Sequence, residues 1–273
     1  MFTLILEGLV IGCLLGLTGA GGGILAVPAL MTSQGWGVAL AAPVGLLAIT
    51  LAALVGAIQG LIQQNIRYKA AIWIALISIP TAKYGVYLAQ IVSPQWLTLA
   101  FSLVMLVVAY RIVFKKVIKD DDAPCKINQQ TGKFIWNIKT ASILGGIGLV
   151  AGLLTGLLGV GGGFIIVPAM KKFTNLNLKS IIATSLMVIF LIGSISISIN
   201  ILNGFEYPLE VSATFILACV LGLVVGRFLI GYIPVNIVQT IFALLVVFVS
   251  FYLLYSIFIF IFIKNNGIPS FLI

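Results

Sequence analysis

Long apolar runs, broken by short polar connections, govern this chain. They are too continuous to read as the alternating ten-residue strands of a membrane barrel. A helical span needs about 20 apolar residues. The runs near 36–62, 70–91, 95–114, 178–202, 208–232 and 235–263 reach that length. Two further stretches, 2–31 and 140–170, are equally apolar but interrupted by glycine clusters. The pattern predicts an all-α polytopic membrane protein of about eight transmembrane helices. They form two four-helix repeats, 1–114 and 140–273, joined by a linker at 115–139. Each repeat opens with a glycine-broken or re-entrant segment.

The interruptions are copies of one phrase. Gly16-Leu-Thr-Gly-Ala-Gly-Gly-Gly-Ile-Leu-Ala-Val-Pro-Ala-Leu30 returns 140 positions later as Gly156-Leu-Leu-Gly-Val-Gly-Gly-Gly-Phe-Ile-Ile-Val-Pro-Ala-Met170, with nine of fifteen residues identical. Glycine weakens a helix by about 1 kcal/mol relative to alanine, so two such clusters in apolar surroundings need a reason. Paired glycine- or proline-interrupted segments in two halves point to a transporter's binding site. Pro28 and Pro168, five residues past the last glycine, are expected to loosen or end the second half-helix.

Composition narrows the class. The chain is 62% hydrophobic and only 8% charged, with mean hydropathy +1.25, against about 25% charged in soluble domains. Phe2–Leu6 is apolar without a basic flank, so the start reads as part of the first span instead of a cleaved signal. Most of the basic residues behind the net charge of +9 sit in loops beside apolar spans, so the charge does not imply nucleic acid. Cys13, Cys125 and Cys219 have no paired spacing and histidine is absent, so no metal site or cofactor is expected and the cysteines read as apolar fillers. Asp120-Asp121-Asp122 reads as a solvated charge run.

Eight crossings put Arg67, Lys69, Arg111, Lys115, Lys116, Lys119, Lys126, Lys133, Lys139 and Lys264 on the side of both termini, against Lys171, Lys172 and Lys179. The positive-inside bias then places both termini in the cytoplasm of an inner-membrane protein. An even count per half further predicts halves that face the same way, related by an axis along the membrane normal.

The paired glycine phrases, Ala183-Thr-Ser-Leu186 and Gly222-Leu-Val-Val-Gly-Arg-Phe-Leu229 together resemble the sulfite exporter TauE/SafE-like transporters, also called the 4-toluene sulfonate uptake permease family. The resemblance covers nearly the whole chain. It implies transport of sulfur-containing or small organic anions such as sulfite, sulfoacetate or related sulfonates. The first half departs from the pattern at Ala42-Pro-Val-Gly45 and at Pro80-Thr-Ala-Lys-Tyr-Gly85, so unequal halves are expected.

Backbone N–H groups at Gly19, Gly21, Gly22, Gly23, Gly159, Gly161, Gly162 and Gly163 are candidate donors to an anion, because a helix broken in the membrane exposes donors and a positive dipole end. The alternative use of these glycines is close helix packing. Lys83 and Arg227 fall about one turn apart on equivalent helices and are candidate charge partners. Snorkelling to an interface is the alternative for both. Thr184 and Ser185, in the family-like stretch, are candidate oxyanion contacts. Glu7, the carboxylate within a span, is the candidate for coupling to a proton or sodium ion. These features predict a secondary transporter of small anions working by alternating access, with an anion channel lined by the same glycines as the alternative. No nucleophile–base pair suggests an enzyme.

Overall fold

The computed structural model describes residues 1–19, 22–113, 124–125, 134–229, 232 and 235–265. Ten helices occupy them: α1 (Phe2–Thr18), α2 (Gly22–Gln34), α3 (Val38–Ile62), α4 (Tyr68–Ile91), α5 (Pro94–Val113), α6 (Ile138–Leu158), α7 (Gly163–Phe173), α8 (Leu178–Leu202), α9 (Leu209–Leu229) and α10 (Val235–Asn265). Most of the 115–139 linker, with Asp120–Asp122, and the donor candidate Gly21 lie outside the described residues. Six helices are long and apolar enough to cross a membrane: α3, α4, α6, α8, α9 and the 237–255 part of α10. The apolar helices α1 and 94–110 of α5 are shorter. Among the described residues, six helices thus meet this measure where eight spans were expected.

Local chemistry sets the helix boundaries. Asn137 and Asn177 cap α6 and α8, their side chains accepting from Thr140 N–H at 2.7 Å and Ser180 N–H at 2.8 Å. At the other end of the hairpin arms, Gly19 and Gly159 close α1 and α6 in the left-handed region, with φ of 69° and 68°. Their N–H groups bond the carbonyls of Leu15 and Thr155. Pro28 and Pro168 do not end their helices as expected: α2 continues to Gln34 and α7 to Phe173. One turn past Pro28, the Thr32 hydroxyl donates to its carbonyl at 3.1 Å.

Glycine stripes knit the two halves together. Gly8, Gly12 and Gly16 of α1 lie against Phe215–Ala218, Cys219 and Leu223 of α9, in rising order on both helices. Gly148, Gly152 and Gly156 of α6 meet Ile74, Ser78 and Ala82 of α4 in the same manner. Each pair therefore runs parallel, with backbones close enough that a methyl group at Gly12 or Gly156 would overlap a carbonyl of the neighbour. The Ser78 hydroxyl crosses the second interface to the Gly148 carbonyl at 2.7 Å. The first helix of each half thus packs on the third long helix of the other.

The central pair runs the opposite way. Thr50, Gly56 and Gly60 of α3 meet Gly193, Leu186 and Ala183 of α8, one series rising while the other falls. These helices occupy corresponding places in the two halves, 140 positions apart, yet they are antiparallel. This overturns the expectation of halves facing the same way. The cause lies in α2 and α7. Thirteen and eleven residues long, they span only about 20 and 16 Å at 1.5 Å per residue, and each folds back along the helix before it. Gly22 packs on Ile11 and Leu15 of α1, and Gly162 on Ala151 and Thr155 of α6. Each interrupted segment thus folds back toward the end from which it started.

The ends of the bundle differ in charge. Arg67, Lys69, Lys139, Lys171, Lys172 and Lys179 sit where α4, α6 and α8 begin and α7 finishes. This basic end lies opposite the one where α1 begins and α10 finishes. The expected grouping of both termini with Arg67 and Lys69 is therefore not met.

Candidate functional site

The two hairpin tips meet in the middle of the bundle. A Cβ at Gly23 would stand 2.6 Å from the Val160 carbonyl oxygen. A Cβ at Gly161 would lie 3.1 Å from Ile189 and 3.5 Å from Ile49. Those isoleucines are fully buried near the midpoints of α8 and α3, at positions 140 apart. Gly161 and Gly162 have φ of 74° and 66°, which residues with side chains seldom adopt. From this centre α2 and α7 depart in opposite directions. The Gly22, Gly23, Gly163 and Phe164 N–H groups open these helices, the Ile165 N–H already bonding the Gly162 carbonyl at 3.0 Å, and the positive dipole ends converge on the centre.

A cavity opens from each end toward the tips. At the basic end, one of about 290 Å³ is lined by Gln59, Gln63, Asn65, Lys179, Ile182 and Arg227. At the opposite end, one of about 560 Å³ is lined by residues including Ala42, Gln90, Thr155, Gly159, Asn200 and Asn203. The linings correspond across the repeat: Ile182 to Ala42, Gln63 to Asn203, Lys179 to Ala39 and Arg227 to Val86, the last two partners also lining the larger cavity. The break residues obey the same relation, Gly19 lying on Ile182 and Gly159 on Ala42. Charge breaks the symmetry, since both cations stand in the basic-end cavity and apolar residues replace them in the other.

The geometry sorts the candidates. Gly22, Gly23, Gly161, Gly162 and Gly163 are buried at or beside the meeting point. Gly19 and Gly159 are buried too, but their N–H groups cap their own helices, so they are turn formers and not free donors. Arg227 donates from Nη2 to the Gly56 carbonyl at 2.8 Å, while its buried Nε has no protein partner. Lys83 does not join it. α4 turns Ala82, Gly85 and Val86 toward α6, leaving Lys83 exposed beside exposed Tyr84 and Tyr87, and it lines neither cavity. The expected pairing of Lys83 with Arg227 is thereby corrected.

Thr184 and Ser185 act on the backbone instead of lining a cavity. Thr184 Oγ1 accepts from the Arg67 N–H at 3.0 Å, tying the α3–α4 turn to α8. Ser185 donates to the Gly19 carbonyl, holding the first hairpin tip. Glu7 stands on α1 toward the opposite end, half-buried, with Oε2 lacking a partner and Ser33 of α2 within reach of the carboxylate. In the α8–α9 connection, Phe205 and Tyr207 meet edge to face at 4.9 Å. Burial pushes the Tyr207 phenol up to about 12.

Sequence reasoning missed Lys179, Gln59, Gln63 and Asn65, whose signal is slight because they stand at helix ends. It also missed the Ile49–Ile189 pair and the four-residue spacing of Gly8-Gly12-Gly16 and Gly148-Gly152-Gly156. The isoleucine pair is legible from the 140-residue offset alone.

Comparison with known proteins identifies the family. The family model for the sulfite exporter TauE/SafE matches residues 4–253. The probable membrane transporter proteins YunE and YjnA of Bacillus subtilis (strain 168) are 27% and 26% identical, covering 71% and 83% of this chain and 76% and 89% of their own. A probable membrane transporter protein of Xylella fastidiosa (strain Temecula1 / ATCC 700964) is 28% identical over 70% of each chain. No solved structure matches. With its multi-pass helices and a match spanning nearly its full length, the chain belongs to the sulfite exporter TauE/SafE family of membrane transporters.

Proposed function

We propose that the protein is a secondary transporter of small anions, sulfur-containing ones such as sulfite or a sulfonate, that works by alternating access. The carrying observation is the pair of repeat-related cavities that open from opposite ends, one reaching Gly159 and the other Ile182, on which Gly19 lies. Such a layout suits a carrier: the substrate sits at the centre while the halves rock about it. It also favours a carrier over the channel reading, because Gly23, Val160, Ile49 and Ile189 close the middle.

In this reading the full traverses are α3, α4, α5 and α8, α9, α10: α5 is included although its apolar stretch is the shorter, and α6, long enough to cross, is left out because it ends at its hairpin tip. The α1–α2 and α6–α7 hairpins enter from opposite faces. Domains 1–114 and 140–273 are inverted repeats around the 115–139 linker. The anion is held by first-turn N–H groups of α2 and α7 and drawn in by Arg227. Close approach to the backbone requires glycine at Gly22, Gly23, Gly162 and Gly163. Glu7 lies on the first hairpin away from the centre, which suits a gating or coupling role better than direct contact.

Orientation follows from the charge. The basic end carries Arg67, Lys69, Lys139, Lys171, Lys172 and Lys179, and the linker adds Lys115, Lys116, Lys119, Lys126 and Lys133 in sequence. Lys264 belongs to the helix that finishes at the other end. The positive-inside bias then puts the basic end in the cytoplasm and both termini outside.

Flux of labelled sulfite and of a small sulfonate into proteoliposomes tests the function. The reading expects saturable uptake with counter-exchange. Linear, non-exchanging flux supports a channel and contradicts it.

A further inference from the structure

We infer that the basic end carries a binding site for one anionic phospholipid, built outside the transport path by the α3–α4 turn, the start of α4 and the segment before α6. A cavity of about 340 Å³ there is lined by Leu61, Gln64, Arg67, Lys69, Phe134 and Trp136, among others. A second hollow of about 410 Å³, sharing Tyr68, Lys69 and Trp136 with the first, runs on along Ile72, Trp73 and Leu76. Arg67 and Lys69 make the first cationic, the second is mostly apolar beyond Lys69, and the two adjoin along Tyr68, Lys69 and Trp136. That is the shape of a phosphate headgroup joined to an acyl chain.

Three observations select this occupant. Arg67 lines the cavity, and its buried Nε has no acceptor in the protein. Arg67 as a whole is half-buried, so the guanidinium faces the cavity as a cation available to a phosphate. Lys69 adds a second cation at the mouth, exposed and on the same turn. The apolar hollow is walled by Trp73 and Trp136, whose rings meet edge to face at 6.2 Å. Trp73 Nε1 donates to the Ala141 carbonyl at 3.0 Å, which fixes the wall. Amphipathic rings of this kind belong at headgroup depth. Ile72 and Leu76, one turn apart and exposed, offer the chain a continuous track.

A free phosphate satisfies the headgroup contacts but leaves the track empty, so the lipid is the better fit. The site stands apart from Arg227 and from both transport cavities. It needs only a membrane protein with this fold, and the orientation proposed above merely assigns it to the cytoplasmic leaflet. An occupied site would brace the α3–α4 turn, which Arg67 also ties to Thr184 of α8.

The test uses the full chain purified in neutral detergent. Thermal midpoints are read against phosphatidylglycerol, phosphatidylcholine of the same chains, and glycerol 3-phosphate. The proposal expects phosphatidylglycerol alone to raise the midpoint. Each basic residue near an anionic headgroup is worth a factor of about five in affinity. The Arg67→Gln/Lys69→Gln variant should then bind roughly 25-fold more weakly. Arg67→Lys, which keeps the charge, guards against simple misfolding and should retain most of the shift. Leu76→Gln should weaken the lipid response without creating one to glycerol 3-phosphate. An equal shift in the double variant, an equal response to phosphatidylcholine, or a full response to glycerol 3-phosphate overturns the proposal. So does a wild type without a shift that gains one on Asp120→Asn/Asp121→Asn/Asp122→Asn, since those carboxylates would then be the occupants.

Discussion

Gly23 and Val160 join the two halves at the centre of the bundle: the α-carbon of one faces the carbonyl oxygen of the other so closely that a methyl group on Gly23 would stand 2.6 Å from it. One residue opens α2 and the other belongs to the turn before α7, so this contact is where the hairpins touch. The oxygen is backbone and cannot swing aside as a side chain would. Gly23→Ala should therefore push the tips apart, at an overpacking cost of about 1–3 kcal/mol, and abolish saturable transport. Gly146→Ala is the control. No atom lies within 4 Å of the methyl it would add, so it should leave transport intact and raise the thermal midpoint slightly, as replacing a helical glycine does.

Gly12 tests the packing stripe separately from the centre. Its neighbour is the Cys219 backbone, with carbonyl carbon and Cα both within 3 Å of a modest added Cβ. Gly12→Leu should separate α1 from α9 and lower the thermal midpoint by more than Gly23→Ala does. The same substitution at Gly35, which has nothing within 4 Å but a φ of 66°, should act only through backbone strain and cost less.

Much of this was legible from residue spacing. The helices at 178–202 and 38–62 coincide with apolar runs, and the glycine phrases mark both tips. What hydropathy could not resolve is whether a broken apolar stretch passes through or turns back, because Gly22–Gln34 is as apolar as a true span. The clue lay in length. Thirty residues in the first interrupted stretch are too many for one traverse and too few for two, which a returning hairpin explains. The side to which Lys83 points was likewise closed to sequence, since it depends on which face of α4 the glycine stripe of α6 claims. For Arg227 the side chain's place follows from Gly222 and Gly226, which fix the packed face of α9 and leave the arginine at its edge.

Arg227→Gln should raise the KM for sulfite about tenfold or more, the scale of a hydrogen bond to a charged group. Lys83→Gln should leave it unchanged, because Lys83 lines neither cavity. The converse experiment places a cation in the related cavity. Val86→Arg should raise the affinity measured from the opposite face of oriented vesicles while leaving the basic face as it was. Concentration-dependent uptake in both orientations checks each outcome.

Tyr207 sets an alkaline limit. Its phenol is held at about 12 by burial against an ordinary value near 10, so the folded state favours the protonated form. The stability this contributes is present in full below pH 10 and is lost as the pH rises from 10 toward 12. Thermal midpoints of the wild type should decline over that interval, and Tyr207→Phe should flatten the decline. A variant with the same alkaline slope as the wild type would remove Tyr207 from the account.

Gln63 and Asn203 decide the architecture. They lie 140 positions apart and line the two cavities at opposite ends of the bundle. Gln63→Cys and Asn203→Cys, each placed in a chain whose Cys13, Cys125 and Cys219 are replaced by alanine, can be labelled in intact cells with a membrane-impermeant maleimide, and again in inverted vesicles. The account predicts that the cysteine at 203 reacts only from outside and the cysteine at 63 only in inverted vesicles. Labelling of both from the same side would contradict the inverted halves and the alternating-access reading built on them.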